Sequence, residues 1–202
     1  MKLPESDHQL FEQLRAGHEQ AFVALYRERQ PPLYRFALQM SGSASVAEDI
    51  TQEVFLALLR EECGYDPDRG SLAAYLFGIA RKLLLRQYER RRSDVPVDTG
   101  AGEQGFAEPA DGSDPLTDLT ARERIEALRR AVASLPRRYR EVVVLCDLEE
   151  VDYAEAAAAM DCPIGTVRSR LHRARLMLAG KLRDERRGGV SVPAWKAARC
   201  TI

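Results

Sequence analysis

The chain has 202 residues, is 45% hydrophobic and 30% charged, and carries a formal net charge of −1. That is enough apolar content for packed cores in one large domain or two small ones, while the balanced total excludes nucleic-acid binding by bulk attraction and leaves it to local asymmetry. The four cysteines (Cys63, Cys146, Cys162, Cys200) form no CxxC pair and have no histidine at metal-ligand spacing, so reduced thiols are expected rather than a disulfide framework or a metal site.

MKLPESDHQL at the N-terminus lacks a signal-peptide core. No apolar run approaches the roughly 18 residues of a membrane span, so no membrane insertion and a cytoplasmic location are expected. From Asp7 to Gln30 apolar residues recur at helical spacing, with Gly17 marking a turn. Pro31-Pro32 is expected to interrupt the pattern, a new helix running from Leu33 to Met40 and closing at Ser41-Gly42. Ser45-Val46-Ala47-Glu48 reads as a capping box. The helix it opens places Val46, Ile50, Val54 and Leu58 on one face. Its other face, Glu48, Asp49, Gln52 and Glu53 beside an exposed Phe55 or Leu56, is a solvated acidic surface or a partner-binding one.

Glu62 to Gly70 is a loop by its Gly, Asp and Pro content. Ser71 can cap the next helix, which runs through Leu72, Leu76, Ile79 and Leu83 into a basic cluster. Arg81 to Arg92 holds six cations against Glu89. Tyr65, Tyr75, Phe77 and Tyr88 are interleaved with these cations, the combination that binds single-stranded nucleic acid, although aromatics at this spacing also serve as core. Ser93 to Ala121 then holds seven acids and no Lys or Arg. With its glycines and prolines, the stretch 93–118 reads as a flexible acidic linker between domains.

Helix is expected to restart at the capping box Thr120-Ala121-Arg122-Glu123, and again after Leu135-Pro136, with Val142, Val143, Leu145 and Leu148 buried. Asp152 to Leu182 has the outline of a helix-turn-helix. Asp152 caps the first helix, with Glu155 as reciprocal cap. The run Ala156 to Ala159 lets a second helix cross closely, and Asp161-Cys162-Pro163 breaks the helix. In the second helix Val167, Leu171, Ala174 and Leu178, in steps of four, three and four, share one face. Gly165, Ser169, His172 and Arg173 point the opposite way, with Arg168, Arg170 and Arg175 on the flanks. Such a helix fits a major groove, where Arg reaches guanine edges and phosphates. Solubility arginines on an amphipathic helix would give the same pattern. Leu176 falls on the polar side without explanation. The tail 183–202 reads as mobile, with Trp195 its one apolar handle.

These segments together resemble a bacterial RNA polymerase sigma factor of the extracytoplasmic-function (ECF) group, sigma-70 family. AEDITQEVFLALL (Ala47 to Leu59) is similar to the second-region helix that docks on polymerase. SLAAYLFGIARKLLLRQYERRR (Ser71 to Arg92) resembles the helix that opens the minus-ten element. LPRRYREVVVLCDLEEVDYAEAAAAMDCPIGTVRSRLHRARLML (Leu135 to Leu178) resembles the fourth-region reader of the minus-thirty-five element. The resemblance implies an all-α fold of two small helical domains: a region 2-like domain over 8–92 and a region 4-like helix-turn-helix domain over 119–182. It implies polymerase contacts by Asp49, Gln52, Glu53 and Phe55. Minus-ten contacts fall to Tyr65, Asp66, Tyr75, Arg81, Lys82 and Arg86, and minus-thirty-five contacts to Gly165, Thr166, Arg168, Ser169, Arg170, His172 and Arg173. Its partners would be core RNA polymerase, promoter DNA and an anti-sigma factor, with no cofactor, no metal and no catalytic residue.

Tyr75 and Lys82 stand where members often carry Trp and Asn, and Ala156 stands where the first helix of the helix-turn-helix usually has Ile, which predicts looser packing there. Glu150-Val151-Asp152 replaces a Gly-Leu-Ser-type turn. Two other readings stay open: a stand-alone helix-turn-helix regulator that binds duplex DNA without polymerase, and a sigma mimic that sequesters an anti-sigma factor.

Overall fold

A computed structural model describes residues 7–60, 63–94 and 115–186. The described residues are helical, with no strand among them: α1 (Asp7–Arg15), α2 (Glu19–Ser41), α3 (Ala44–Leu59), a 3₁₀ turn at Pro67–Arg69, α4 (Leu72–Asp94), α5 (Pro115–Ala133), α6 (Arg137–Val143) running into a π-helical turn at Val144–Leu148, α7 (Tyr153–Ala159) and α8 (Ile164–Arg186).

In the N-terminal half α2 packs against α1, α3 and α4. Leu25, Phe36, Val54, Leu58, Leu72 and Leu76 form its fully buried centre. Gly17 (φ 86°) and Gly42 (φ 70°) turn the chain where a side chain would be strained. The Gly42 amide donates to the Leu38 carbonyl at 2.8 Å and closes α2.

Several sequence expectations are corrected. Pro31-Pro32 does not interrupt α2, which runs through both residues. The lost amide donors cost about 3 kcal/mol each in a helix interior, and burial of Leu25 before the pair and Leu33 and Phe36 after it offsets that cost and keeps the helix continuous. The box at Ser45 does not open α3, because the helix has already begun at Ala44 and the Ser45 hydroxyl lies 3.1 Å from that of Ser43. Ser71 does cap α4: its Oγ accepts from the Ala74 amide at 3.1 Å. Helix α5 begins at Pro115, not Thr120, so 115–118 of the expected linker are helical; proline suits a first helical turn, where its missing amide hydrogen would be unpaired anyway. The rest of the linker, 95–114, and most of the tail, including Trp195, lie outside the described residues. Residues 183–186 extend α8.

In the C-terminal half Val142, Val143 and Leu145 are buried as expected, but Leu148 is 40% exposed. The π-helical turn shifts the register, the Glu149 amide reaching back five residues to the Val144 carbonyl at 2.9 Å, and carries Leu148 off the core face. Asp152 caps α7 as read, its Oδ1 accepting from the Ala154 and Glu155 amides at 2.7 and 2.9 Å. Glu150 takes the left-handed φ of 55°, the conformation for which glycine is suited. Val167, Leu171, Ala174 and Leu178 face the core of α8 as their spacing predicts. The two halves also pack on each other, α4 against α7 and α2 against α6 and the π turn, so one apolar core runs through both.

Candidate nucleic-acid and partner-binding surfaces

The recognition surface on α8 follows from its period. With one face buried, Gly165, Arg168, Ser169, His172 and Arg173 are exposed, and Thr166 and Arg170 are half-buried at the margins. Pro163 precedes the helix, its carbonyl accepting from the Thr166 amide at 2.8 Å. The Ser169 hydroxyl donates to the Thr166 carbonyl at 3.0 Å and is thereby oriented. Arg175 is tied to Asp147 by two bonds of 2.6 and 3.1 Å, which raises its affinity for its proton further. Arg173 and Arg138 hold the Tyr139 hydroxyl below its usual pKa, the Arg173 hydrogen bond being the larger cause. Leu176, 61% exposed, sits on the polar side as its position predicts.

A second surface forms where the 3₁₀ loop meets α4. Tyr65 stacks edge-on against Phe11 (centroids 4.8 Å apart) and at a tilt against Tyr75 (5.5 Å). Burial pushes both hydroxyls above the usual tyrosine pKa. Asp7 and Asp66 add to the rise at Tyr65, and the Cys63 thiol, 3.7 Å from the Tyr75 oxygen, adds to that at Tyr75. The Asp66 carboxylate accepts from the Asp68 amide at 3.0 Å and fixes the loop. Tyr65, Asp66 and Tyr75 line a cavity of about 410 Å³ together with Arg81 and Lys82 and with Ala158, Ala159 and Asp161 of the other half. The structure thus brings together Tyr65, Asp66, Tyr75, Arg81 and Lys82. Arg86 is exposed further along α4 and does not line the cavity. Tyr88 belongs to the core seam, its hydroxyl donating to the Met40 carbonyl.

The third surface lies on α2 and α3. Asp49 and Gln52 are exposed, and Glu53 is half-buried, paired with Arg60 at 3.0 Å. Phe55 does not reach this surface. It is 3% exposed, packed against Tyr26 (4.7 Å) and Phe22 (6.1 Å), because it shares the inward face with Val54 and Leu58. Leu56, Leu59, Val23 and Tyr26 are the apolar groups that emerge.

Sequence reasoning missed a fourth set, at the junction of the halves. Glu141, with 8% of its side chain exposed, accepts from Arg81 Nε at 2.5 Å. Glu149, with 2% of its side chain exposed, accepts three bonds of 2.6, 3.0 and 3.2 Å from Arg35. Burial pushes the Glu149 carboxyl up and the Arg35 guanidinium pulls it back. Arg140 donates to the Met40 carbonyl at 3.4 Å and the Leu135 carbonyl at 3.3 Å, joining the ends of helices from both halves. Its Nε is buried without a hydrogen-bond partner, and burial draws its pKa down. A lone acid against the apolar run Val142 to Leu145 was the one signal that Glu141 needed a buried partner.

Residues 25–93 match sigma-70 region 2, and residues 125–178 match sigma-70 region 4. The chain is 35% identical over 157 residues to the ECF RNA polymerase sigma factor EcfG of Rhodopseudomonas palustris, an alignment covering 75% of this chain and 80% of the relative. It is 36% identical over 155 residues to the ECF sigma factor SigE of Mycolicibacterium smegmatis, covering 76% of this chain and 58% of that relative's length. Among solved structures, the sigma factor RpoE of Bartonella quintana, in complex with the anti-sigma factor NepR, superposes with a TM-score of 0.62 at 27% identity, over 80% of this chain and 96% of that one. Two helical halves carrying these two regions define a transcription initiation factor of the sigma-70 family. Within that family the chain belongs to the ECF group: it is an alternative sigma factor that directs transcription initiation.

Proposed function

We propose that the three surfaces divide the work of this sigma factor. Gly165, Thr166, Arg168, Ser169, Arg170, His172 and Arg173 read the minus-thirty-five duplex, the arginines reaching guanine edges and phosphates. Tyr65 and Tyr75 receive an unstacked minus-ten base in the cavity, while Asp66 shapes its loop and Arg81, Lys82 and Arg86 follow the nontemplate phosphates. Asp49, Gln52 and Glu53, with Leu56, Leu59 and Tyr26 beside them, dock on core polymerase, and Phe55 acts from beneath by supporting Tyr26. The observation that carries this reading is the cavity lined by Tyr65, Tyr75, Arg81 and Lys82, residues within the span that matches region 2.

The protein acts as a specificity subunit in the cytoplasm and catalyses nothing itself. Two modest DNA contacts, on units spanning 8–92 and 119–182 and joined by the acidic 93–118 segment, gain from effective concentration once polymerase holds both. Capture of the flipped base offsets a few kcal/mol of unstacking. The acidic segment lies in polymerase's basic RNA path and substitutes for RNA there, so neutralising its acids should alter the lengths of abortive products. An anti-sigma partner covers the exposed apolar groups of α2 and α3; the likeness to a sigma factor solved with its anti-sigma factor supports this.

Transcription in vitro with core polymerase, on a promoter selected from a randomised library, tests the assignment. Specific initiation should be lost with Arg168→Ala and with Asp49→Ala. Initiation equal to wild type in both would overturn it, and duplex binding without any polymerase binding would replace it with a stand-alone regulator.

A further inference from the structure

The recognition helix carries arginines on both flanks, and the two flanks are built differently. Arg175 leans on Asp147, whose carboxylate cancels its charge. Arg173 leans the other way, towards α6. It is exposed, although the neighbouring Leu171 and Ala174 are buried where α8 packs on α6. What it meets there is Tyr139. This residue is 5% exposed, so its ring belongs to the core. Its hydroxyl oxygen nevertheless accepts a hydrogen bond from Arg173 and a lesser one from Arg138. The Arg138 guanidinium also lies 4.7 Å from the centre of the same ring, within the range of a cation–π contact.

Packing alone does not call for the hydroxyl, because phenylalanine fills the same space and brings no polar atom that needs a partner. The hydroxyl differs from Asp147 in being neutral. A carboxylate consumes the charge of the arginine it orients; a hydroxyl orients Arg173 and leaves that charge for DNA. Two cations on one ring also repel each other until an anion joins them. Arg138 stands, moreover, in the first turn of α6, an end where the helix dipole disfavours a cation. A DNA phosphate relieves both costs. The frame behind the pair is firm. Ala156, at the position usually filled by Ile, is fully buried along with Val167 and Ala174, so the looser packing expected there is not found. Arginines on a rigid support can be aimed.

We propose that Tyr139 is a positioning residue for reading the upstream duplex: its hydroxyl sets the Arg173 guanidinium at the groove, and its ring sets Arg138 beside it as a further phosphate contact. Held in advance, Arg173 loses less side-chain freedom on binding. The proposal rests on the assignment of the exposed face of α8 to that duplex.

Holoenzyme assembled from core polymerase and the full chain tests it, by equilibrium binding to a fluorescent duplex of its selected promoter over a range of salt concentrations. Tyr139→Phe keeps the ring and removes only the hydroxyl. It should weaken binding about threefold to tenfold, the loss expected when one long side chain must be ordered on binding, with the melting temperature of the free chain unchanged. In an Arg173→Ala background the same change should do nothing further. Arg138→Ala should flatten the dependence of log affinity on log salt by about 1, the share of one phosphate, whereas Tyr139→Phe should leave that slope alone. An affinity unchanged by Tyr139→Phe, an equal loss with and without Arg173, or a loss that comes with a lower melting temperature would overturn the positioning role. A wild-type slope in Arg138→Ala would overturn the phosphate contact. If Arg168→Ala also binds as wild type does, the assignment of α8 to the duplex is what failed.

Discussion

The recognition face of α8 and the cavity face of α4 are built from the same materials, arginines on one side of an amphipathic helix and aliphatic residues on the other, yet they end in opposite states. On α8 Arg168 and Arg173 are exposed, Arg170 is half-buried and Arg175 is tied to Asp147, all within the C-terminal half. On α4, Arg81 is bonded to Glu141 of the other half, and Ala158 and Ala159 of α7 line part of the cavity. Helical period decides which way a side chain points; whether it is available is decided by what the rest of the fold places opposite. A carboxylate on a neighbouring element is the simplest reversible cover for a phosphate-binding arginine, since both ligands present oxygens to the same fork of donors.

That contrast can be broken or sharpened by substitution. The largest effect should come from Leu25→Ala, which empties a fully buried site in the N-terminal half and should cost about 2–5 kcal/mol. If the Arg81–Glu141 and Arg35–Glu149 pairs make the halves one cooperative unit, calorimetry should show a single transition moving down; in the Glu141→Gln, Glu149→Gln background it should split, with only the N-terminal transition shifted. Arg168→Ala should weaken upstream duplex binding by about 1–3 kcal/mol, read by electrophoretic mobility shift, while leaving single-strand binding unchanged.

Glu150→Gly should stabilise the chain by about 0.5–1 kcal/mol, because the left-handed backbone there penalises any Cβ; thermal melts would read it, and destabilisation would mean that the Glu150 side chain supplies something the backbone does not. The smallest effect concerns Cys146, whose thiol burial and Asp147 push up to about 11. It binds its proton more tightly folded than unfolded, so its contribution is intact below the unfolded thiol value and fades as pH rises past it. With the other three cysteines replaced by serine, alkylation of Cys146 should be slow at neutral pH and accelerate only as pH climbs from about 9 towards about 11. Fast reaction at pH 7 would show that the C-terminal core opens.

Much of the fold was legible because it is local. The spacing of Val167, Leu171, Ala174 and Leu178 oriented α8, and Asp152 announced α7 by a bond made within three residues. The failures share a cause. Pro31-Pro32 reads as a break until burial on both sides holds the helix continuous through it. Phe55 reads as exposed until Tyr26 and Phe22 enclose it. The candidate site was legible in its residue types, through the tyrosines and cations of 65–92, but not in its closure. Arg81 and Glu141 are 60 residues apart, Arg35 and Glu149 114 apart, and no window of sequence relates them.

The most direct test sets the two faces side by side. The free wild-type chain is titrated, at one salt concentration, with the upstream duplex and with the nontemplate minus-ten strand, each against the Glu141→Gln, Glu149→Gln variant. The account predicts equal duplex binding by both proteins and tighter strand binding by the variant alone. Strand binding as tight in the wild type as in the variant would show that Glu141 does not cover Arg81 in the free protein and would contradict it.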